Sequence, residues 1–136
     1  MNAHRTVYSS GSPFEVIVGY SRAVRAGNSV YVSGTSASAP DGPIGAADAG
    51  KQAAAILERI VAALKEAGAS AADVVRTRVY LTDIKTFDAV AAAHCAVFAE
   101  IRPTTTFVEV SALADPALLV EIEAEAVIPP TNEVLD

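Results

Sequence analysis

Two segments of the chain repeat their apolar residues at helical spacing. From 46 to 67, apolar residues recur at intervals of three and four positions, while most Lys and Glu residues lie on the opposite side of the helix that this spacing describes. The pattern predicts an amphipathic helix that Gly68 ends. A second, shorter amphipathic helix is predicted from 87 to 101, because a similar spacing recurs there and Pro103 stops it.

Other parts of the chain have the period-two alternation or the β-branched residues that are typical of strands. The best-defined pair flanks a tight turn at 26–28, and we predict a hairpin made of residues 19–25 and 29–33. Residues 14–18 are expected to form a loop or a short extended segment. Further strands are predicted at 4–9, 74–82, 102–110 and 118–127.

The predicted elements follow one another in the order β-β-β-α-β-α-β-β. This order indicates an α+β fold in which two helices cover one face of a mixed sheet. A chain of 136 residues with no internal repeat or linker is expected to form a single domain over 1–136. Its C-terminal tail, from about 129 to 136, is expected to be loose.

Composition and charge narrow the classes of partner. Apolar residues make up 51% of the chain, but no run is long enough to cross a membrane, and residues 1–12 lack the apolar core of a signal peptide. We therefore expect a cytoplasmic protein that buries part of its apolar surface against copies of itself. A formal net charge of −6 argues against nucleic acid as a main partner. With one cysteine, Cys95, and two histidines far apart in sequence, no metal site is expected.

Two polar features inside the apolar framework are candidates for binding or chemistry. Three consecutive threonines at 104–106 follow Pro103 and place hydroxyl groups where a strand begins, a common place for a small-molecule site. Because side chains alternate along a strand, either Thr105 alone or its two neighbours face a given side. His94 has the chemistry of an acid or base, although a mid-helix histidine is more often solvated or satisfied within the core.

Segments along nearly the whole chain match the pattern of one family. They are Gly-Tyr-Ser-Arg-Ala-Val at 19–24, Val-Ser-Gly-Thr at 32–35, Gln52, Ala-Gly-Ala at 67–69, Asp-Val-Val at 73–75, Arg-Val-Tyr-Leu-Thr-Asp at 78–83, 103–110 and 119–126. In content and order they resemble the Rid family, the YjgF/RidA reactive-intermediate deaminases. The resemblance implies a chorismate-mutase-like fold and a homotrimer with three clefts between subunits. It also implies chemistry without a cofactor, in which water adds to the C=N carbon of an imine or enamine and ammonia and a keto acid are released.

The same resemblance implies roles for individual residues. Glu121, the first glutamate of the last strand, matches the carboxylate that positions the attacking water, a task that needs partial burial and a pKa near neutrality. Tyr20, Ser33 and Gly34 match positions that line the substrate cleft. The alternative for Glu121 is that it is an exposed strand carboxylate like the two glutamates that alternate after it.

Three positions depart from the family pattern. Thr105 stands where the archetypal deaminases carry an arginine that grips the substrate carboxylate, Phe107 where they carry a cysteine, and Ala91 where they carry an asparagine. A threonine hydroxyl is one neutral donor in place of a planar cation, so we expect α-imino acids to bind weakly. We assign Thr105 and Phe107 to the substrate cleft nevertheless.

Arg22 is a candidate for replacing the missing arginine. Period two along the predicted strand puts Arg22 on the same face as Tyr20, so both are expected to line the cleft. Arg102 is a second candidate for an anion anchor. The alternative for Arg22 is an ion pair with an acidic residue across a subunit interface.

Two functions follow from these residues. The first is a cofactor-independent deaminase or hydrolase that acts on a small imine-like, enamine-like or anionic metabolite other than the archetypal α-imino acids. The second is a trimer that binds small ligands or partner proteins without turnover, an alternative that rests on Thr105. Ribonuclease activity, which has been attributed to family members, has the least support because the chain is acidic.

Overall fold

A computed structural model of the protein describes residues 4–130, which form one mixed β-sheet and three α-helices. The strands are β1 (Arg5–Tyr8), β2 (Ala23–Ala26), β3 (Ser29–Thr35), β4 (Val74–Leu81), β5 (Thr104–Glu109) and β6 (Val120–Val127). The helices are α1 (Pro13–Val18), α2 (Ala49–Glu66) and α3 (Phe87–Phe98). Single turns of 3-10 helix at 71–73 and 84–86 precede β4 and α3. The α+β class and the predicted order of strands and of the two longer helices are therefore confirmed.

The strands are arranged in the order β1-β2-β3-β6-β4-β5. All neighbouring pairs are antiparallel except β4 and β5, which are parallel because α3 carries the chain back between them. The last strand, β6, thus lies in the middle of the sheet and joins the N-terminal hairpin to the β4–β5 unit. β5 lies at one edge, where only one side of its backbone is paired.

The two longer helices cover one face of the sheet, which we call the helix face. Ile56, Leu57, Ile60 and Leu64 of α2 are fully buried in the same core as Ile122 of β6. The helix begins where the Asp48 carboxylate accepts a hydrogen bond from the Lys51 amide, and it ends before Gly68, whose φ is 88°. The sequence-based helix and its glycine cap are confirmed.

The opposite side of the sheet, which we call the open face, is covered by no helix of the described residues. Alternation along β6 points Ile122 and Ala124 to the helix face and the three glutamates between and beside them to the open face. In β4, Arg78 and Tyr80 bond to those glutamates and therefore share the open face. A polar sheet surface thus lies opposite an apolar core.

The segment 14–18, expected to be a loop or extended, is instead the short helix α1. Ser12 caps it by accepting a hydrogen bond from the Phe14 amide, and Pro13 occupies its first turn, where its missing N–H costs nothing. The segment is too short and too uniformly apolar to show the periodicity of either a helix or a strand, so the sequence did not predict its structure. The first strand of the predicted hairpin is also shorter than expected. Residues 19–22 connect α1 to β2, which begins at Ala23. The predicted tail reaches beyond residue 130, and residues 131–136 lie outside the described residues.

Candidate functional site

A β-bulge interrupts the pairing of β3 with β6. Val32 lies opposite Ala124 and Thr35 opposite Ile122, so Ser33 and Gly34 together face the single residue between them on β6. Such a bulge redirects side chains and commonly lies beside functional sites. Here it displaces the β3 backbone next to the N-terminal end of β6, where Glu121 projects.

Glu121 packs directly against the bulge. A Cβ atom added to Gly34 would lie 2.6 Å from the Glu121 Oε2 and 3.0 Å from its Cδ, so a side chain at position 34 would push the carboxylate away from the place it occupies. Glu121 is half-buried. Within residues 4–130, its carboxylate accepts no hydrogen bond and forms no ion pair. Its oxygens are therefore left for a water molecule or a ligand.

Arg22 is fixed beside the same bulge. Its Nη1 donates hydrogen bonds to the carbonyl of Gly34 at 2.9 Å, to the Thr35 Oγ1 at 2.8 Å and, more weakly, to the carbonyl of Ser33 at 3.3 Å. Its guanidinium carbon lies 5.7 Å from the centre of the Tyr20 ring, within the range of a cation–π contact. The Ser33 hydroxyl donates to the carbonyl of residue 21 at 2.6 Å. These bonds hold one positive charge and one aromatic ring at the edge of the bulge.

Burial raises the pKa of the Glu121 carboxyl, the Arg22 charge opposes that rise, and the neighbouring Glu123 adds to it. The other glutamates of β6 differ, because Glu123 accepts a hydrogen bond from the Tyr80 hydroxyl at 2.5 Å and Glu125 pairs with Arg78 at 3.1 Å. Glu121 is thus the glutamate of β6 with a raised pKa and unoccupied oxygens. A carboxylate of this kind suits the positioning and deprotonation of water.

A shallow cavity of about 190 Å³ opens on the open face beside Glu123, two residues along β6 from Glu121. It lies between the paired charges of β4 and β6 and the outer surface of the β2–β3 hairpin. Its polar lining comprises Ser33, Arg76, Arg78, Glu123 and Glu125. Because these charges already satisfy one another, the cavity itself offers no free group comparable with Glu121.

Two of the residues assigned to the cleft lie elsewhere in the protomer. Thr105 and Phe107 project to the helix face of the edge strand β5, so the sheet separates them from the open-face carboxylate of Glu121. The Thr105 hydroxyl accepts a hydrogen bond from the Thr77 hydroxyl at 2.6 Å. The Phe107 ring lies 4.9 Å from that of Phe87 at the start of α3. The structure therefore brings together Tyr20, Arg22, Ser33, Gly34 and Glu121, but places Thr105 and Phe107 in a second group.

The second group contains a residue that the sequence reading missed. Thr77 is fully buried, and its hydroxyl lies 2.8 Å from the Nε2 of His94, which is 8% exposed. The signal was available, because period two along β4 aligns Thr77 with Val79 and Leu81 on the apolar face, where a hydroxyl needs a partner. By contrast, Cys95 is exposed because it lies one position beyond the inward-facing His94 on α3.

No helix within residues 4–130 is both long and apolar enough to cross a membrane. No cluster of three or more His, Cys, Asp or Glu side chains there has the spacing of a metal site.

Three comparisons place the chain among known proteins. The model of the family described as Endoribonuclease L-PSP matches residues 3–128. A RutC family protein of Pyrococcus abyssi is 36% identical over 125 residues, which cover 91% of this chain and 97% of that protein. An uncharacterized Streptomyces coelicolor protein is 40% identical over 86% of this chain and 87% of its own length. The crystal structure of a Mycobacterium tuberculosis member of the YjgF/YER057c/UK114 family superposes with a TM-score of 0.84 at 52% identity, covering 91% of this chain and 99% of that one. The chain therefore belongs to the Endoribonuclease L-PSP family, also called the YjgF or Rid family.

Proposed function

We propose that this protein is a cofactor-independent deaminase or hydrolase that acts on a small imine-like, enamine-like or anionic metabolite. The observation that carries the proposal is the setting of Glu121, a half-buried carboxylate with a raised pKa, unoccupied oxygens and a fixed cation beside it. Membership of the YjgF family is consistent with a small-molecule role of this kind. The protein is proposed to act in the cytoplasm.

In the proposed reaction, Glu121 accepts a proton from a water molecule as the water oxygen bonds to the carbon of a C=N group. The π electrons of that bond move to nitrogen, which takes up a proton. That proton is the one that Glu121 took from the water. As the tetrahedral carbon collapses to a carbonyl group, its hydroxyl proton passes through Glu121 to the nitrogen, so that the C–N bond breaks and ammonia leaves. Glu121 acts as the general base, a contribution of about 10²- to 10⁴-fold in typical enzymes. Tyr20 and the fixed Arg22 line the position of the substrate.

The active assembly is proposed to be a homotrimer with its clefts between subunits. Four apolar side chains of α1 are exposed, including Val16 at 89% and Ile17 at 74%, which is unusual for a free surface. A neighbouring protomer that covers this surface offers a way to bring Thr105 and Phe107 of one subunit toward Glu121 of another. The separation of the two groups within one protomer supports a site that is completed by association.

The anion-binding groups remain part of the proposal. The Nη1 of Arg22 is occupied by backbone oxygens and by Thr35, but its Nη2 has only a 3.5 Å contact with the Tyr20 hydroxyl. Arg102 is exposed, and its side chain makes no hydrogen bond or ion pair with the described residues. Neither arginine lies at position 105 of β5, where the archetypal deaminases carry the arginine that binds the substrate carboxylate. We therefore expect little turnover of 2-iminobutanoate or 2-aminoacrylate generated in situ.

The test is a panel of enamines, imines and aminomuconate-like compounds, with ammonia release as the measurement. We expect at least one compound to be turned over by the wild-type protein and not by Glu121→Gln, which keeps the size of the side chain but cannot take a proton. Glu123→Gln is the matched control, since it removes the next glutamate on the same face. Equal rates in the wild type and Glu121→Gln would overturn the proposal.

A second candidate function is ligand or partner binding without turnover. Thr105 favours it, because the cation that grips the substrate in the archetypal deaminases is replaced by a neutral hydroxyl. This alternative predicts that panel compounds bind to the wild-type protein and that none releases ammonia. The same panel, followed by both calorimetry and ammonia detection, separates the two functions.

A further inference from the structure

The hydroxyl of Thr105 lies at the end of a chain of three hydrogen-bonded side chains. His94 Nε2 lies 2.8 Å from the Thr77 Oγ1, and the Thr77 hydroxyl donates to the Thr105 Oγ1 at 2.6 Å. The first two members are buried, whereas Thr105 is exposed on the edge strand β5. These hydrogen bonds thus connect the core under α3 to the surface of the helix face.

The number of protons on each side chain determines which groups donate and which accept in these hydrogen bonds. A threonine hydroxyl has one proton, so with that of Thr77 directed toward Thr105, Thr77 accepts from His94. His94 therefore carries a proton on Nε2. Burial lowers the pKa of its imidazole, which favours the neutral ring with that single proton. Phe98 and Phe107, with ring centres 4.6 Å and 5.8 Å from that of His94, enclose the imidazole.

Thr105 is left with an unused proton. Its oxygen accepts from Thr77, and within residues 4–130 its hydroxyl donates to no other group. The side chain is exposed, so this proton is available to a group that lies beside β5. Phe107, two positions along the same face, supplies an aromatic surface next to the donor.

We propose that His94 and Thr77 act as positioning residues that orient the Thr105 hydroxyl as a hydrogen-bond donor to a neutral carbonyl oxygen of the ligand. A neutral donor chain next to an aromatic ring suits an amide, ester or lactam carbonyl rather than a carboxylate, which needs a cation. The inference rests on the proposed function only in placing Thr105 at the substrate. It concerns the end of the ligand that is remote from the Glu121 carboxylate.

The direction of the hydrogen bonds from His94 through Thr77 to Thr105 can be tested without a ligand, by ¹⁵N NMR of the His94 imidazole. The sequence contains two histidines, so a His4→Gln variant assigns the spectrum. We expect the Nε2–H tautomer for His94 in the wild type. Thr105→Val frees the Thr77 proton to point at Nε2, so the signal should move toward the Nδ1–H tautomer, and Thr105→Ser should restore the wild-type signal. Thr106→Val, which alters the next residue on the opposite face of β5, should leave it unchanged. An Nδ1–H tautomer in the wild type, or no change in Thr105→Val, would overturn the proposal that His94 and Thr77 orient the Thr105 hydroxyl.

The ligand class is tested by calorimetry with pyruvamide and pyruvate. The two compounds differ only in that pyruvamide has a neutral amide where pyruvate has a charged carboxylate. We expect the wild type to prefer pyruvamide and Thr105→Val to lose about three- to tenfold of its pyruvamide affinity, the size of one neutral hydrogen bond. Thr105→Ser should recover it. An equal or greater affinity for pyruvate, or a pyruvamide affinity that Thr105→Val does not change, would overturn the assignment. Glu121→Gln should keep the preference while losing turnover, so the two proposals fail separately.

Discussion

The three glutamates of β6 share a strand and a face, yet their surroundings give them different chemistry. Glu123 and Glu125 are held by Tyr80 and Arg78 and act as parts of a paired polar surface. Glu121 lies against the bulge at Gly34, where burial raises its pKa and no described side chain occupies its oxygens. Alternation in the sequence put all three on one face, but it carried no information about the bulge. The difference between them is therefore a property of the β3 backbone.

Gly34→Ala is expected to remove activity through Glu121. The added Cβ would meet Oε2 at 2.6 Å, and the flexible carboxylate can turn away, so the cost in unfolding free energy should be about 1 kcal/mol or less. Displacement of the general base should lower ammonia release by about tenfold or more. The measurement is kcat for Gly34→Ala, for Glu121→Gln and for the double variant. If the effects of the two changes on kcat multiply in the double variant, Gly34 does not act through Glu121.

At the scale of elements, long periodic segments were predictable and short irregular ones were not. The stripe that includes Ile56, Ile60 and Leu64 specifies α2 because one face of eighteen residues must be buried. α1 has six residues, and its position depends on Ser12, Pro13 and a carboxylate rather than on a period. The β4–β5 pairing that brings Thr77 to Thr105 joins residues 28 positions apart, a separation that no local pattern encodes.

Glu15 is expected to anchor α1 to the segment before it. Its carboxylate accepts hydrogen bonds from the Ser10 hydroxyl at 2.6 Å and the Ser10 amide at 2.9 Å, and these bonds lower its pKa to about 2. A lowered pKa in the folded state means that the anchor is fully present above the ordinary value of 4.5 and is lost as the pH falls toward 2. Glu15→Gln should therefore speed amide hydrogen exchange in α1 at pH 7. An unchanged exchange rate in α1 would show that the carboxylate does not hold the helix.

At the scale of the whole molecule, the surface supports the proposed association of protomers. α1 exposes Phe14, Val16, Ile17 and Val18, and the two groups of candidate site residues lie on opposite faces of one sheet. The apolar surplus of the composition predicted self-association, but it did not locate the surface. The candidate location at α1 depends on the short helix that directs these apolar side chains outward.

Ile17→Asp is expected to weaken the proposed trimer. Ile17 is 74% exposed in the protomer, so a charge there costs little in the monomer but must be desolvated in an interface. Sedimentation velocity should show a shift from trimer toward monomer, together with loss of ammonia release. Ala62→Asp, at an exposed position of α2, is the matched control and should keep the wild-type assembly. Identical sedimentation of wild type and Ile17→Asp would remove α1 from the interface.

The most direct test of the central claim separates turnover from binding at Glu121. For the best substrate of the panel, kcat for ammonia release and Kd for the keto product are measured in the wild type, Glu121→Gln and Glu123→Gln. We expect Glu121→Gln to lose about 100-fold or more in kcat, because the general base is missing, while Kd stays within about threefold. Glu123→Gln should keep most of its activity. A Glu121→Gln protein that releases ammonia at the wild-type rate would contradict the role of Glu121 as the general base.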